Sequence, residues 1–190
     1  MEDRCLVVGL GNPGPRYAGN RHNVGFMVVD RLADGAGLPL SRTRFSGRYA
    51  AGNLEGKPAA LLEPDTFMNL SGKSVSAARS FFNVEVGNIL VIHDELDLPF
   101  GTIRLKVGGG HAGHNGLRSI VAQLGTADFV RLRVGIGRPQ HGAVSDFVLA
   151  DFSREEREWL PDLLDRGVDA VRLALRDGPR MAMNVINVAR

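Results

Sequence analysis

The sequence predicts an α/β fold in a single globular domain, with a twisted mixed β-sheet surrounded by helices. Segments with strand and helix patterns alternate along the chain, which is typical of this class. A predicted hairpin makes the sheet mixed rather than purely parallel. The chain has 190 residues and no internal repeat or linker, so we assign residues 1–190 to one domain.

The first half of the chain supplies two helices and three strands to this prediction. Residues 5–10 form a short apolar run that ends in glycines, which indicates a buried strand. Apolar residues at helical spacing predict helices over Val24–Ala36 and Ser71–Phe82. Between them, residues 44–51 and 57–62 flank a glycine-containing turn and are expected to pair as a hairpin.

The second half repeats the alternation. Residues 89–92 are continuously apolar and predict a central strand. Ile103–Val107 and residues 129–134 also have strand character, and the helix between them carries apolar residues at Leu117, Ile120, Val121 and Leu124. A long helix with apolar positions from 160 to 175 and a short helix over residues 180–188 complete the chain.

Composition excludes several classes of protein. The single cysteine, Cys5, rules out an intramolecular disulfide and a cysteine-based metal site. No run of 18 apolar residues is present, and the N-terminus lacks the pattern of a signal peptide. We therefore expect a cytoplasmic protein that does not associate with membranes.

Charge is distributed unevenly although the formal net charge is only +2. Between positions 104 and 138 a single acid, Asp128, accompanies six basic residues: Arg104, Lys106, Arg118, Arg131, Arg133 and Arg138. Such an excess suits a phosphate-bearing partner, because neutralised phosphates release counterions. On charge alone, a solvated basic surface explains the same pattern.

A G-x-G-x-x-G motif spans positions 9 to 14 and suggests a dinucleotide-binding loop. That function requires a helix to begin within the glycine cluster. Here Pro13 and Pro15 flank Gly14, and helical spacing begins only near Asn23. We interpret the glycines as a tight loop that directs the Asn12 side chain across a cleft.

Polar residues concentrate at the predicted ends of several strands and at helix starts, where α/β sheets build their sites. They are Asn12, His22, Asn23, Asn69, His93, Asp94, His111, His114 and Asn115. Each has a structural alternative: the asparagines as turn or N-cap residues, His22 as a buried histidine, and His93 as a strand-end residue. His111 and His114 have the spacing of metal ligands, but no third ligand lies nearby in sequence.

Together these residues suggest hydrolysis by direct attack of water. His22 is a candidate general base with a near-neutral pKa, and Asp94 could fix its tautomer. Neutral amides could position a carbonyl or stabilise an oxyanion. No G-x-S-x-G nucleophile motif is present, which favours a reactive acyl substrate such as an ester.

Six ordered motifs of the chain resemble those of the bacterial peptidyl-tRNA hydrolase family. The resemblance runs from the first strand to about Gly137, and the length agrees. Its residues are Gly9-Leu-Gly-Asn-Pro-Gly14 with Tyr17, Arg21-His-Asn23, Thr66-Phe-Met-Asn-Leu-Ser-Gly-Lys73, His93-Asp-Glu-Leu-Asp97, Gly110-His-Ala-Gly-His-Asn-Gly116 and Arg131-Leu-Arg-Val-Gly-Ile-Gly137. The family often has Thr where this chain has Asn20, and either residue can cap a helix.

The resemblance implies a monomeric enzyme without cofactor or metal that cleaves the ester between a peptide and tRNA. It implies that His22 is the base and that Asp94 orients it. Asn12 and Asn69 would bind the peptide moiety near the ester, and Asn115 would hold the attacking water or the developing charge.

The same resemblance implies roles in substrate binding. Tyr17 and Met68 would help to shape the cleft, and His114 would belong to a mobile loop that gates it. Lys106 and Arg133, both late in their predicted strands, would clamp the 5′ phosphate at the acceptor end of the tRNA.

Two functions of other classes remain open. A non-catalytic RNA-binding protein could use the basic surface alone, although only 6% of residues are aromatic and the aromatic strands of common RNA-binding modules are missing. A metallohydrolase could use the hard ligands of the segment from His93 to Glu95. Peptide release and sensitivity to chelators would separate these alternatives.

Overall fold

The computed structural model describes residues 3–188, which fold around a seven-stranded sheet. The strands are β1 (Cys5–Gly9), β2 (Arg42–Arg44), β3 (Gly47–Leu54), β4 (Lys57–Pro64), β5 (Ile89–Glu95), β6 (Ile103–Val107) and β7 (Val130–Gly135). Their order across the sheet is β2-β3-β4-β1-β5-β7-β6. The four central strands β4, β1, β5 and β7 are parallel, whereas β3 and β6 are antiparallel to their neighbours. The predicted mixed α/β sheet is confirmed.

Helices cover both faces of this sheet. They are α1 (Val24–Ala36), α2 (Ser71–Phe82), α3 (Asn115–Leu124), α4 (Val144–Val148), α5 (Arg154–Asp177) and α6 (Pro179–Ile186). On one face, α1, α5 and α6 enclose a core that includes Val7, Ile92 and Leu132. On the other face, α2 and α3 pack over a second core around Val8 and Val91. Alternate residues of each buried strand therefore serve opposite layers.

The hairpin was predicted in the right place but with wrong limits. Phe45 and Ser46 adopt left-handed backbone conformations, with φ of 59° and 49°. They form a turn that separates the short edge strand Arg42–Arg44 from β3, so β3 begins at Gly47 instead of residue 44. Helix α4 was not predicted, and α6 begins at Pro179, where the fixed φ of proline suits a helix start.

A close approach between α1 and the central sheet positions the region where the polar residues gather. A Cβ atom at Gly25 would lie 2.6 Å from the backbone N and O of Leu10, and one at Gly9 would lie 2.7 Å from Val29 Cγ2. Only glycine leaves room for this contact. The first turn of α1 thus lies directly against the ends of β1 and β5.

Within residues 3–188, no helix combines the length and the apolar character that a bilayer-crossing segment requires.

Candidate active site

A cleft of about 990 Å³ opens beyond the carboxyl ends of the central strands. This is the edge at which parallel sheets usually place ligand sites. Most of the candidate residues from the sequence meet here: Asn12, His22, Met68, Asn69, Asp94, His114 and Asn115. The loops that carry them are far apart in the sequence, and the sheet brings them together.

His22 and Asp94 are hydrogen-bonded to each other. His22 lies in a 3-10 turn, Arg21–Asn23, immediately before α1, and Asp94 lies near the end of β5. His22 Nδ1 is 2.8 Å from Asp94 Oδ2. Asp94 is 3% exposed. The pairing predicted from the sequence is therefore present, and it leaves His22 Nε2 as the ring nitrogen available to a substrate.

His114 supplies the second hydrogen bond to Asp94, with its Nε2 2.8 Å from Asp94 Oδ1. Its other ring nitrogen, Nδ1, accepts hydrogen bonds from the backbone N–H groups of Gly116 (3.1 Å) and Leu117 (3.3 Å). His114 is thus the N-cap of α3, and Asn115 is the first helical residue rather than the cap. Because Nδ1 accepts, Nε2 must carry the proton, so the surroundings fix the tautomer of His114.

These contacts set the charges of the site. Burial opposes ionisation of Asp94, but the His22 and His114 imidazoles act in the other direction and hold its pKa well below the usual range. Burial lowers the pKa of His22, yet the charge and the hydrogen bond of Asp94 outweigh it, and the net pKa is raised above its ordinary value. Asp94 is therefore an anion, and His22 is a strengthened base.

His93, next to this pair, is held neutral. Its Nδ1 is 2.9 Å from the backbone O of Asp94, and the residue is almost completely buried. Burial, with the neighbouring His114, lowers the pKa of His93 to about 3. The strand-end interpretation of His93 agrees with this position.

Asn12 joins the loops on the other side of the cleft. Its backbone N–H donates to Asn23 Oδ1, and Asn23 Nδ2 donates to the backbone O of Asn12, both at 2.9 Å. Its side-chain Oδ1 accepts from the backbone N–H of Met68 at 2.7 Å. With Oδ1 occupied, the Asn12 NH₂ group is the end of the amide that remains for a ligand.

Asn69 and Asn115 are exposed in the cleft at the starts of two neighbouring helices. Asn69 lies in a 3-10 turn, Met68–Leu70, that leads into α2, and Asn115 begins α3. The two turns touch, because a Cβ atom at Gly116 would lie 2.6 Å from Met68 Sδ. Both side chains therefore line the same cleft, and within residues 3–188 neither side-chain amide makes a hydrogen bond.

Tyr17, Lys106 and Arg133 lie outside the residues that line the cleft. Tyr17 is half-buried in the turn after Gly14, under the Arg16 guanidinium. The strands of Lys106 and Arg133 are neighbours but antiparallel, so their ends diverge, contrary to the simplest expectation from the sequence. Lys106 is instead opposite Arg131, and Arg133 is opposite Arg104.

The four cations Arg104, Lys106, Arg131 and Arg133 share one face of the β6–β7 pair, since opposite residues of an antiparallel pair point the same way. Arg131 is buried and donates to the carbonyls of Gly108 (3.2 Å) and Gly110 (3.0 Å). It thereby holds the loop that ends at His114. Lys106 is exposed, and Arg133 Nε is 2.8 Å from Glu95 Oε1.

One set of potential metal ligands exists within residues 3–188. The ligand atoms of His22, Asp94 and His114 lie within 4.8 Å of one another. A metal bound there would have to replace both hydrogen bonds of Asp94. His111 does not join this group, and its Nδ1 accepts from the backbone N–H of Gly113 at 3.1 Å. The H-x-x-H spacing therefore does not form a paired ligand site.

The sequence missed one wall of the cleft. Val144, Ser145, Val148 and Leu149, in and after α4, also line the cleft. Val144 and Leu149 are 40% and 43% exposed, so they offer apolar surface to a ligand. The apolar residues at positions 144 and 148 fit helical spacing, but five residues are too few for this spacing to indicate a helix.

This chain is similar to known peptidyl-tRNA hydrolases in sequence and in fold. A family model described as peptidyl-tRNA hydrolase matches residues 6–190. A peptidyl-tRNA hydrolase of Geobacter sp. (strain M21) is 52% identical over 182 residues, covering 96% of this chain and 97% of the relative. One of Frankia casuarinae is 56% identical over 181 residues, covering 94% and 91%. The crystal structure of peptidyl-tRNA hydrolase from Acinetobacter baumannii superposes with a TM-score of 0.93 at 44% identity, covering 100% and 97%.

Proposed function

Since this chain belongs to the peptidyl-tRNA hydrolase family, we propose that it hydrolyses the ester bond between a peptide and the 3′ end of tRNA, with His22 as the general base. The observation that carries the proposed mechanism is the pair of hydrogen bonds at Asp94. The bond to His22 uses Nδ1 and leaves Nε2 available in the cleft. The bond to His114 uses Nε2, and the backbone N–H groups of Gly116 and Leu117 occupy the Nδ1 atom of that ring.

The chemistry follows from this arrangement. His22 Nε2 takes a proton from a water molecule as the water oxygen bonds to the ester carbonyl carbon. The resulting imidazolium is stabilised by Asp94, which remains ionised. When the C–O bond to the ribose breaks, the imidazolium returns the proton to the departing ribose oxygen. The products are a free peptide carboxylic acid and tRNA.

Neutral amides complete the site in this proposal. The free NH₂ groups of Asn12 and Asn69 hold the peptide carbonyls near the ester, beside Met68. Asn115, at the start of α3, positions the water or donates to the developing oxyanion, where fixed donors are most effective. His114 holds the end of its loop against Asp94. The role of Tyr17 stays a prediction, since its side chain lies away from the cleft lining.

The decisive test is release of peptide from purified peptidyl-tRNA by the wild-type protein and by His22→Ala. Loss of a general base costs about 10²–10⁴-fold in rate. The variant should remain folded and still bind tRNA. If His22→Ala keeps more than about a tenth of the wild-type rate, His22 is not the base. If the wild type binds tRNA but releases no peptide, the protein is an RNA-binding module.

We also propose that Lys106 and Arg133 bind the 5′ phosphate of the tRNA. Lys106 is free to reach a ligand, and Arg133 needs only to share its guanidinium with Glu95. They are diagonal neighbours on one face, about 7–8 Å apart at the backbone, so both side chains can reach one phosphate. A terminal phosphate carries more charge than an internal phosphodiester, which favours this position.

The clamp predicts a selective defect. Lys106→Ala with Arg133→Ala should raise KM for full-length peptidyl-tRNA and flatten its salt dependence. The double variant should hydrolyse a minimal peptidyl-adenosine, which lacks the 5′ phosphate of tRNA, almost as fast as wild type does. Arg42→Ala with Arg44→Ala removes equal charge from exposed β2 at the opposite edge of the sheet and is the control. If the double variant hydrolyses both substrates equally poorly, Lys106 and Arg133 support the fold or the loop instead.

The remaining proposals concern context. We place the enzyme in the cytoplasm because its substrate arises there during translation. We propose a monomer because every residue of the proposed site comes from one chain, and sedimentation at micromolar concentration would reveal any dimer.

A further inference from the structure

Arg21 precedes the proposed base in sequence but takes no part in the chemistry described above. Its side chain is only 10% exposed. Nη2 is 2.7 Å from Glu156 Oε1, and Nη1 donates to the backbone O of Phe147 at 3.2 Å. The guanidinium carbon lies 4.1 Å from the centre of the Phe147 ring. One side chain thus makes an ion pair, a backbone hydrogen bond and a cation–π contact.

The backbone around Arg21 is bound to the same distant segment. The Arg21 N–H donates to the backbone O of Ala150 at 3.0 Å. Asn20 pairs with Asp151 in an isolated antiparallel bridge, and Asn20 Nδ2 donates to Asp151 Oδ1 at 2.8 Å. Asn20 therefore ties two segments together and does not cap the turn with its side chain. Gly19 permits the approach, since a Cβ atom there would lie 3.3 Å from Asp151 Oδ1.

The segment held in this way reaches the cleft on one side and a long helix on the other. Phe147 belongs to α4, whose neighbouring residues Val144 and Leu149 form the apolar wall of the cleft. Glu156 lies in the first turn of α5, and its Oε1 also accepts from the Ser153 N–H at 2.9 Å in the capping box of that helix. The same carboxylate oxygen thus anchors both α5 and Arg21.

We propose that Arg21 is a positioning residue that fixes the distance between the α4 wall and His22. This inference rests on the proposed function. The α4 wall binds apolar parts of the peptide, and Arg21 keeps the wall at the distance at which the ester of the bound peptide lies next to His22. Arg21 acts through its neighbours and does not touch the reacting atoms. The alternative is that Arg21 contributes only to the stability of the fold and does not affect the placement of His22.

The planar fork of arginine makes this function difficult to replace. Lysine keeps the positive charge near Glu156, but a single ammonium cannot reproduce the fixed fork geometry or the stacking on Phe147. Arg21→Lys therefore weakens the contacts of residue 21 with Phe147, but it still leaves a cation beside the Glu156 carboxylate. Glu156→Gln removes the ion pair while its amide oxygen can still accept from Ser153 and cap α5.

The experiment compares Arg21→Lys with Arg172→Lys on peptidyl-tRNA. Arg172 is a matched control because it lies on α5 and makes a partly buried ion pair with Glu55 at 2.9 Å, beside the amino end of β4 and therefore at the edge of the sheet opposite the cleft. A misplacement of about 1 Å costs on the order of 10²-fold in rate, so we expect kcat of Arg21→Lys to fall by about 10- to 100-fold. Arg172→Lys should keep the wild-type kcat.

Two further readouts distinguish positioning from stability. Because His22 follows Arg21 directly in the same turn, a shift of Arg21 also loosens the hydrogen bond between His22 and Asp94, so the acidic limb of the kcat–pH profile should move to lower pH in Arg21→Lys. KM should rise more for a substrate with a long apolar peptide than for one with a single acetylated amino acid. Glu156→Gln should show both changes to a smaller extent.

The proposal is overturned if Arg21→Lys retains the wild-type kcat and acidic limb, whatever happens to its thermal unfolding temperature. Should Arg21→Lys not fold, Phe147→Leu keeps the ion pair and the backbone acceptor while it removes the aromatic face. That variant should show the same shift of the limb, and an unchanged limb would equally overturn the proposal. Failure of the proposed function would appear separately, as a wild-type protein that releases no peptide, and failure of the base assignment as a His22→Ala variant that keeps more than about a tenth of the wild-type rate.

Discussion

Two buried carboxyls lie near the ends of the strands that flank β1, and their pKa values are shifted in opposite directions. Asp94, in β5, accepts hydrogen bonds from two imidazoles, and its pKa is held well below the usual range. Glu63, in β4, is 1% exposed, and burial together with Asp30 raises its pKa to about 8. Equal burial therefore does not decide the charge of a carboxyl. The number and charge of the donors around it do.

The surroundings of Glu63 explain the difference. One oxygen pairs with Arg48, which also lies 3.8 Å from Asp30. The other oxygen, Oε1, has no hydrogen-bond donor among the described residues. One guanidinium must thus serve two carboxyls, so one of them favours the protonated form. Glu63 lines a second cavity of about 260 Å³, and among the described residues only Asn12 lines both this cavity and the cleft that contains His22.

The largest expected effect on the rate is that of Asp94→Asn, which replaces the ionised carboxyl by a neutral amide. The proton on His114 Nε2 is fixed by the backbone of α3, so the amide oxygen must face His114. The amide NH₂ then faces His22 Nδ1 and forces the proton of His22 onto Nε2, where it blocks the base. We expect kcat to fall by about 10⁴-fold, as for a wrong tautomer in a catalytic triad, with little change in KM.

The double variant Asp94→Asn with His114→Ala tests this explanation. Without the His114 N–H, the amide can rotate and offer its oxygen to His22, so part of the lost rate should return. The acidic limb of the profile should lie below that of wild type, because burial lowers the His22 pKa and the charge that raised it is gone. A limb that stays in place or rises would contradict the role of Asp94.

Glu63→Gln should have a smaller effect, on stability instead of rate. The folded-state pKa of Glu63 is about 8 against an ordinary value of 4.5, so its contribution to stability is present below pH 4.5 and lost as the pH rises through 8. Glutamine mimics the protonated form. Between pH 5 and pH 9 the variant should therefore gain a few kcal/mol in free energy of unfolding relative to wild type.

Urea unfolding at both pH values measures this difference. Asp30→Asn is the informative companion, because removal of the neighbouring charge should lower the Glu63 pKa and reduce the loss of stability with pH. Parallel pH dependence of wild type and Glu63→Gln would show that Glu63 is ionised in the folded protein, like Asp94.

The smallest expected effect is that of chelation, which should leave the rate unchanged. In the proposed site the partners of Asp94 are imidazole N–H groups and not a metal ion, so exhaustive chelation should not alter hydrolysis of a short peptidyl-ester mimic. The mimic avoids the effect of magnesium on tRNA itself. Loss of activity that zinc or manganese restores would assign the group of His22, Asp94 and His114 to a metal.

The sequence predicted that polar residues would gather around Asp94, but it did not indicate the buried group of Glu63, Asp30 and Arg48. His22, Asp94 and Asn12 are polar residues at the ends of apolar runs, and the parallel sheet places such ends together. Glu63 follows the predicted strand 57–62 by a single residue and has no polar neighbour to mark it. Its partners Asp30 and Arg48 reach it only through the packing of α1 and β3 on β4.

The basic surface shows a similar limit. The charge pattern of the sequence indicated Lys106 and Arg133. It could not indicate that their strands are antiparallel, because apolar periodicity does not give the direction of a strand. Nor did it indicate that Arg131 is buried and holds the loop before His114. Helix α4 was missed because five residues are too short for helical periodicity to be evident.

The glycine contact between α1 and β1 has a consequence for how this protein can diverge. At Gly9 and Gly25, even one added methyl group would push α1 outward, and His22 moves with it. Such a change could leave an enzyme that folds and accumulates in the cell yet turns over slowly. Selection on activity should therefore eliminate it sooner than selection on folding. Among homologues, we expect these two positions to vary less than the much larger apolar residues of either core.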